Sequence, residues 1–439
     1  MDYPLDRRDF LKMAGAGAAG ALLAGVAGRA ALADEKSKPN IVFLLADDLG
    51  YECLGSYGGT SYKTPHLDAL AKEGTRFEYC YATPLCSPSR AEAMTGRYGF
   101  RTGWTHLIDK DDEGEFFDPK KEKTFGHVLK EAGYATACAG KWQLCQFDQH
   151  PDHLKECGFD ESCMWTWVDK GKKKTSRYWD PSIWQNGKRL ENTKGKYGPD
   201  LYSDFLCDFI TRHKDKPFFV YYPMALVHDP LTHTPDSEKK GAKENKGDQG
   251  VFTGMVAYMD KDVGKITAHL EKLGLRNNTL ILFSGDNGTE SKITSMLGDK
   301  EVKGGKHSMG DTGSHVPLIA NWPGTVPAGK VSSDLVDFSD LLPTFAGLAG
   351  AALPKEVTLD GRSFAPQLRG EKGNPRECVF VQLGSNKFVR DQRWKLNNKD
   401  DLFDTKADPD EKSPLKPEKD DAEAAAARKR LKERLSALK

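Results

Sequence analysis

The sequence predicts an α/β fold in which a mostly parallel central sheet is sandwiched by helices, with a smaller C-terminal antiparallel sheet plus one helix. Short, nearly unbroken apolar runs alternate with helical patterns along most of the chain, which is typical of parallel sheets covered on both faces. Beyond Gly350 this alternation gives way to short strand patterns separated by turns, which favours an antiparallel arrangement.

Four apolar runs are predicted to be strands of the central sheet, and three helical patterns ending in glycine lie between or beside them. The predicted strands are 40–46, 134–139, 217–222 and 279–283, and the predicted helices are 66–74, 124–133 and 255–274. We expect residues 34–370 to form the catalytic domain and 371–439 a small C-terminal subdomain. Its predicted elements are the strands within 377–383, 386–392 and 393–398 and a charged helix from about Ala422 to the end.

Composition and the N-terminus restrict the class of protein. The chain has 439 residues with 64 basic and 64 acidic side chains, and this zero net charge argues against nucleic-acid binding. Arg7 and Arg8 precede a weakly apolar run and the small residues 31–33, so residues 1–33 are predicted to be a twin-arginine signal peptide. The uncharged run 13–28 is short and rich in glycine, so we expect no stable membrane anchor.

The predicted signal places the mature protein in the periplasm or outside the cell, after export by the twin-arginine machinery. Substrates of that machinery fold before export, in the reducing cytoplasm. The eight cysteines other than Cys86 are therefore predicted to be buried thiols and not a disulfide framework.

Polar side chains follow each predicted strand of the central sheet. Asp47 and Asp48 follow the first strand, Lys141 the second, His228 the third, and Asp286 with Asn287 the fourth. Each pattern by itself is also explained by a turn, a helix cap or a solvated loop. Because ligands bind beyond the carboxyl ends of strands in open α/β sheets, their shared location favours one functional site.

Four of these residues suit a hard metal ion. Asp47, Asp48, Asp286 and Asn287 offer three carboxylates and an amide oxygen, which favours Ca²⁺ first and Mg²⁺ second. The absence of a Cys/His spacing motif argues against zinc. The sequence therefore predicts an all-oxygen cation site with room for a reacting group.

The segment CSPSR, residues 86–90, is similar to the C-x-P-S-R signature of the type I sulfatases, in which the cysteine is oxidised to Cα-formylglycine. Six further segments resemble motifs of this arylsulfatase-like family of the alkaline phosphatase superfamily, in the same order. They are ADDLGYECLGSYGG, AGKWQL, ALVHDP, FSGDNG, KGGKHSMGDTGSHVPLI and LFDTKADPDE. The resemblance covers nearly the whole mature chain.

The resemblance implies hydrolysis of sulfate esters on a sulfated small molecule or carbohydrate, with a formylglycine-generating enzyme as maturation partner. A hydroxyl of the hydrated aldehyde at Cys86, which is also a metal ligand, would attack the sulfur. Lys141 and Lys306 would hold the sulfate oxygens, and His228 would protonate the leaving alcohol. With Cys86 as a helix cap, Arg90 lies on the same helical face and would steady the deprotonated diol.

Three features depart from the family pattern or stand outside it. Gln143 takes the place of a histidine and is predicted to position the nucleophile by a hydrogen bond without titrating. His315 takes the place of an arginine. The segment 165–197 is rich in aromatic and basic residues, which suit either contact with a sulfated sugar or a solvated face.

Two other functions fit the same residues. A phosphodiester or phosphonate monoester hydrolase would use the same formylglycine and a similar metal site. A non-catalytic protein that binds sulfated glycans would keep Cys86 as a thiol.

Overall fold

The computed structural model describes residues 38–108, 116–169, 173–237 and 247–438. The predicted signal peptide, residues 1–33, lies outside these ranges. Among the helices of the described residues, none has the length and apolar character needed to cross a bilayer.

The strands β1 to β18 follow in chain order. They are Asn40–Ala46, Thr75–Tyr81, Ala135–Gly140, Glu161–Trp165, Val168–Asp169, Lys173–Lys174, Ile183–Gln185, Lys188–Arg189, Phe218–Pro223, Thr279–Gly285, Thr294–Leu297, Lys300–Lys303, Leu318–Asn321, Lys330–Asp337, Val379–Leu383, Asn386–Arg390, Trp394–Asn397 and Leu402–Asp404.

The α-helices α1 to α11 are numbered in the same way. They are Pro65–Lys72, Cys86–Thr95, Gly99–Thr102, Phe125–Glu131, His153–Glu156, Gly198–Arg212, Gln249–Lys272, Asp311–Ser314, Leu341–Ala349, Ala365–Leu368 and Ala422–Ala437. The four predicted strands of the central sheet and the first two predicted helices are confirmed to within two residues at each end, and the third predicted helix is confirmed but begins earlier, at Gln249.

The central sheet has ten strands in the order β14-β2-β13-β10-β1-β9-β3-β4-β7-β8. Strand β1 lies in its interior, parallel to β10 on one side and to β9 on the other, and β3 runs parallel to β9 and β4. The pairings of β13 and β7 are antiparallel. The prediction of a mostly parallel sheet is therefore confirmed.

Strand β1 shows why the apolar runs have no polar face. Ile41, Phe43 and Leu45 point into the hydrophobic core on one side of the sheet, while Val42 and Leu44 point into the core on the other side. Helices α2, α4 and α9 contribute to the first core, and α6 and α7 contribute to the second. Burial on both faces removes the alternation of polar and apolar residues seen in half-buried strands.

The predicted C-terminal antiparallel sheet is confirmed as β15-β16-β17-β18. Helix α11 packs on it through small and apolar side chains, among them Ala424, Ala427 and Leu431. Strand β18 was not predicted because it has only three residues. The boundary near Gly370 stays a prediction.

All nine cysteines are free thiols, eight of them buried and Cys378 half-buried. This agrees with the predicted absence of a disulfide framework, although Cys378 is more exposed than expected.

A buried acidic cluster connects helix α2 with strand β15. Glu92 of α2 lies beside Asp337 at the end of β14, and Asp337 Oδ2 accepts from the Phe380 backbone N–H at 3.1 Å. Burial and the Asp337 charge raise the pKa of the Glu92 carboxyl well above its usual value. The folded protein therefore favours the protonated form of Glu92.

We predict that Glu92→Gln weakens the pH dependence of stability. The pKa of Glu92 is higher in the folded state than in the unfolded state. Its contribution to the free energy of unfolding is therefore fully present below the unfolded-state pKa and is lost as pH rises through the folded-state pKa. The wild-type free energy of unfolding should fall by about 1.4 kcal/mol per pH unit in that window relative to Glu92→Gln. Denaturant unfolding at several pH values measures this difference.

The exposed Glu131 of α4 provides a matched control, and Glu131→Gln should keep the wild-type pH dependence. Parallel curves for wild type and Glu92→Gln would contradict the raised pKa of Glu92.

Candidate active site

Four neighbouring strands of the central sheet bring the predicted residues to one place. In the order β10-β1-β9-β3, Asp286 follows β10, Asp47 follows β1, His228 lies in the loop after β9, and Lys141 follows β3. The parallel register sets Ala46 beside Gly285, and the Asp286 backbone N–H donates to the Ala46 carbonyl at 2.9 Å. The predicted convergence at the strand ends is confirmed.

The four predicted oxygen ligands form a buried centre. The Asp48 backbone N–H donates to Asp286 Oδ1 at 3.0 Å, and Asn287 Nδ2 donates to Asp48 Oδ1 at 2.8 Å. Asp47 lies beside them, and all four residues are fully buried. Asn287 Oδ1 is buried and accepts no hydrogen bond from any residue in the described part of the chain. An unpaired amide oxygen among three carboxylates fits a Ca²⁺-type ligand set.

Backbone conformation sets the positions of these side chains. Asp48 and Gln143 both adopt positive φ, at 60° and 57°, a conformation that side chains other than glycine rarely adopt and that recurs at functional sites. A Cβ at Gly140 would lie 2.0 Å from the Pro223 carbonyl oxygen. Glycine therefore lets β3 and the end of β9 approach closely just before Lys141.

Cys86 lies against the carboxylates. Its Sγ is 3.4 Å from Asp47 Oδ1 and 3.6 Å from Asp48 Oδ1. The predicted role of Cys86 as helix cap needs a correction, since Leu85 is the N-cap and Cys86 is the first residue of α2. Burial and the Asp286 charge raise the pKa of the Cys86 thiol well above its usual value. The unmodified side chain is thus a neutral thiol, which is a poor nucleophile.

Two lysines neutralise separate carboxylates. Lys141 Nζ donates to both oxygens of Asp47 at 2.8 Å, and Lys306 Nζ donates to Asp48 Oδ2 at 2.6 Å. Burial alone would raise the pKa of Asp47, but Lys141 and the neighbouring cations hold it well below its usual value. Lys303, close by in sequence, is exposed at the end of β12.

Arg90 lies in the site, but its hydrogen bonds go to Asp286 and to the Lys141 backbone, whereas the sequence analysis expected it to contact the side chain at position 86. Its Nε and one terminal nitrogen donate to Asp286 Oδ2 at 3.0 and 2.7 Å. The other terminal nitrogen donates to the Lys141 carbonyl at 2.9 Å. In this structure Arg90 orients Asp286 and the Lys141 backbone.

His228 is more exposed than the carboxylate it approaches, since its side chain is 18% exposed and that of Asp48 is fully buried. Its Nδ1–H donates to the Asp229 carbonyl oxygen, and its Nε2 is 3.0 Å from Lys306 Nζ. Burial lowers the pKa of His228 well below its usual value. The ring is therefore neutral and accepts a hydrogen bond from Lys306.

The two departures from the family pattern differ in character. The Gln143 carbonyl accepts from Ser87 Oγ at 3.0 Å, and its buried Oε1 has no partner among the described residues. His315 Nδ1 is 2.9 Å from Asp311 Oδ2, and its Nε2 is 2.8 Å from the Glu78 carbonyl oxygen. Both ring nitrogens face acceptors, so His315 serves as a hydrogen-bond donor at the position where the family has arginine.

Arg177 is a site residue that the sequence analysis did not single out. Its terminal nitrogen lies 3.3 Å from Asp47 Oδ2, and its guanidinium lies over the Trp165 ring at 4.0 Å from the centroid. The aromatic and basic character of 165–197 was the available signal. It did not distinguish a site segment from a solvated face, because composition carries no information on which residue points inward.

Comparisons with known proteins agree with this geometry. Residues 39–351 match the family model described as sulfatase, 305–439 match the C-terminal model of N-sulphoglucosamine sulphohydrolase, and 4–24 match the twin-arginine translocation signal sequence. This signal shows that the protein is directed to export, to the periplasm or outside the cell.

Two curated relatives and one solved structure illustrate the likeness. Human arylsulfatase A is 34% identical over 78% of this chain and 70% of its own length. N-acetylgalactosamine-6-sulfatase of Canis lupus familiaris is 34% identical over 85% of this chain and 71% of its own length. The crystal structure of Ps i-CgsB in complex with k-i-k-neocarrahexaose has a TM-score of 0.77 and 29% identity, covering 92% of this chain and 94% of that one.

We predict that Asp47→Asn weakens calcium binding at least about tenfold, because the change removes a carboxylate from a site with few other ligands. Calcium titration of the metal-free protein by calorimetry measures the affinity directly. Asp236→Asn is the matched control, since Asp236 is exposed and pairs with Lys261 on the surface. Equal calcium affinity in wild type and Asp47→Asn would remove Asp47 from the ligand set.

Proposed function

The chain belongs to the sulfatase family and is a sulfuric ester hydrolase, and we propose that it removes sulfate from sulfated carbohydrates after export. The observation that carries this proposal is the position of Cys86. It is the first residue of a helix and lies within 3.6 Å of two buried carboxylates, in the segment that resembles the family's modification signature.

An unmodified thiol at Cys86 is poorly suited to attack a sulfate ester. The Cys86 side chain is buried and neutral, and the thiolate, which is the reactive form, is disfavoured beside three carboxylates. Conversion to Cα-formylglycine replaces the thiol with an aldehyde whose hydrate offers two hydroxyl groups. We therefore propose that a maturation enzyme modifies Cys86.

The proposed cation is Ca²⁺, held by Asp47, Asp48, Asp286 and Asn287 together with the modified side chain of Cys86. The unpaired Asn287 Oδ1 supports this set, as does the grouping of ligand atoms from Asp47, Asp48 and Cys86 within 4.8 Å of one another. A divalent cation at this position would acidify a hydroxyl group and neutralise sulfate charge.

The cationic side chains supply the remaining chemistry in our proposal. Lys141 and Lys306 bind the sulfate oxygens and stabilise the charge that develops as the ester bond breaks. Lys306 also donates to His228 Nε2, so a proton that moves from Lys306 to Nε2 can pass from that same nitrogen to the leaving alcohol, while Nδ1–H stays bonded to the Asp229 carbonyl. Arg90 fixes Asp286, and Gln143 positions the nucleophile through its unpaired side chain.

A carbohydrate substrate is supported by the relatives. One has the name N-acetylgalactosamine-6-sulfatase, and Ps i-CgsB was solved with k-i-k-neocarrahexaose.

We predict that active protein from a host able to modify it contains an aldehyde or its hydrate at position 86, which mass spectrometry of the peptide around residues 86–90 will detect. The same preparation should hydrolyse 4-nitrophenyl sulfate faster than bis(4-nitrophenyl) phosphate or 4-nitrophenyl phenylphosphonate. Cys86→Ala should lose sulfate release, because no hydroxyl nucleophile can form. Quantitative alkylation of a Cys86 thiol in fully active protein would overturn the proposal, and a preference for the phosphorus esters would favour a phosphohydrolase.

We also predict that Lys306→Ala lowers kcat/KM for 4-nitrophenyl sulfate by about 100-fold, the effect expected when one fixed donor to developing charge is removed. The matched control is Lys303→Ala, which changes an exposed lysine three residues away and should stay within about twofold of wild type. Thermal melts verify that both variants fold. A large loss with Lys303→Ala alone would place the sulfate-binding lysine at 303.

A further inference from the structure

Resting on the proposed sulfatase function, we infer that Arg177 selects substrates that carry a second anionic group, a sulfate or a carboxylate, next to the scissile sulfate ester. Arg177 comes from the segment 165–197, outside the family motifs. Its side chain is 8% exposed and contacts Asp47 Oδ2, whereas Arg90 lies near the other carboxylate oxygen, Asp47 Oδ1.

The guanidinium is held in a fixed orientation. It stacks over the Trp165 ring at 4.0 Å, and Trp165 is itself buried at the end of β4, with its indole N–H donating to Thr175 Oγ1 at 2.8 Å. Stacking on an aromatic face leaves the edge of the guanidinium available for a planar anion. The guanidinium group of Arg177 is therefore oriented before a ligand binds.

Most of the hydrogen-bonding capacity of Arg177 is unused. Its only hydrogen bond to a described residue is the long contact of one terminal nitrogen with Asp47 Oδ2 at 3.3 Å. A guanidinium has five N–H donors, and no Arg177 nitrogen is among the fully buried polar atoms that lack a partner. The remaining donors therefore reach solvent, from which an anionic ligand can approach them.

The balance of charge leaves Arg177 free for this role. Each of the three carboxylates has its own close cation: Asp47 has Lys141, Asp48 has Lys306, and Asp286 has Arg90. Arg177 is a fourth cation around three carboxylates. A bound divalent cation would increase the positive excess, so Arg177 is not needed to balance Asp47 in the loaded enzyme.

The location of Arg177 assigns it to the leaving-group side. Tyr178 Oη lies 2.7 and 2.6 Å from the carbonyl oxygens of Ala225 and His228, and the Trp179 indole N–H donates to the His233 carbonyl at 2.7 Å. These contacts fasten the Arg177 segment to the loop that carries His228. In the proposed mechanism His228 faces the ester oxygen, so Arg177 faces substituents of the alcohol part next to it.

The test compares three small esters: 4-nitrophenyl sulfate as reference, 2-carboxy-4-nitrophenyl sulfate, and 4-nitrocatechol disulfate. In Arg177→Gln, kcat/KM for an anionic ester divided by kcat/KM for the reference should fall at least about tenfold relative to wild type, as expected for loss of a charge-assisted pair. Comparison of the carboxylate-bearing ester with the disulfate ester identifies whether Arg177 recognises a carboxylate or a sulfate. Lys174→Gln, an exposed lysine of the same segment, should keep both ratios.

Binding gives a readout that does not need turnover. In the Cys86→Ala background, calorimetry with the same esters should show the same tenfold change in relative affinity when Arg177 is replaced by Gln. Unchanged ratios in both assays, with a change only in calcium affinity, would overturn the inference and leave Arg177 as a partner of Asp47. A wild-type protein that hydrolyses no sulfate ester would contradict the proposed function, while the binding ratio would still decide the role of Arg177.

Discussion

The site depends on one electrostatic constraint, which is that three buried carboxylates must be held together at the ends of adjacent strands. Burial of Asp47, Asp48 and Asp286 without compensation would cost several kcal/mol for each charge. The protein meets this cost with Lys141, Lys306 and Arg90, each of which contacts a different carboxylate. The same cations then face the position where a sulfate would bind. The groups that stabilise the buried carboxylates are therefore the groups that our proposed mechanism uses.

The sheet supplies the rigidity that this arrangement requires. Strands β1, β9 and β10 are buried on both faces, so their ends cannot shift without disturbing two hydrophobic cores. The loops beyond them are tied to each other, since the Gly50 backbone N–H donates to Thr289 Oγ1 at 3.0 Å and Thr289 donates to Glu52. Strained backbone at Asp48 and Gln143 is tolerated because the surrounding packing determines it.

Two positions show how a family site can change in residue type and keep its physical properties. His315 is enclosed by Tyr51 and Tyr81, and its two ring nitrogens lie near Asp311 Oδ2 and the Glu78 carbonyl oxygen, so it keeps a hydrogen-bond donor where the family has arginine. Gln143 keeps a hydrogen-bonding side chain where the family has histidine but gives up a titratable group. Both changes therefore preserve hydrogen-bonding capacity.

The sequence by itself determined the strands of the central sheet and the polar residues at their ends, because two-sided burial and family motifs produce recognisable patterns in contiguous residues. It also indicated the free cysteines and the C-terminal sheet. Only the tertiary structure decided that Arg90 binds Asp286, that Lys306 donates to a neutral His228, and that Arg177 reaches Asp47. These contacts join residues between 78 and 196 positions apart. Such pairings depend on side-chain direction and on the crossing of distant loops, which no local pattern of residues records.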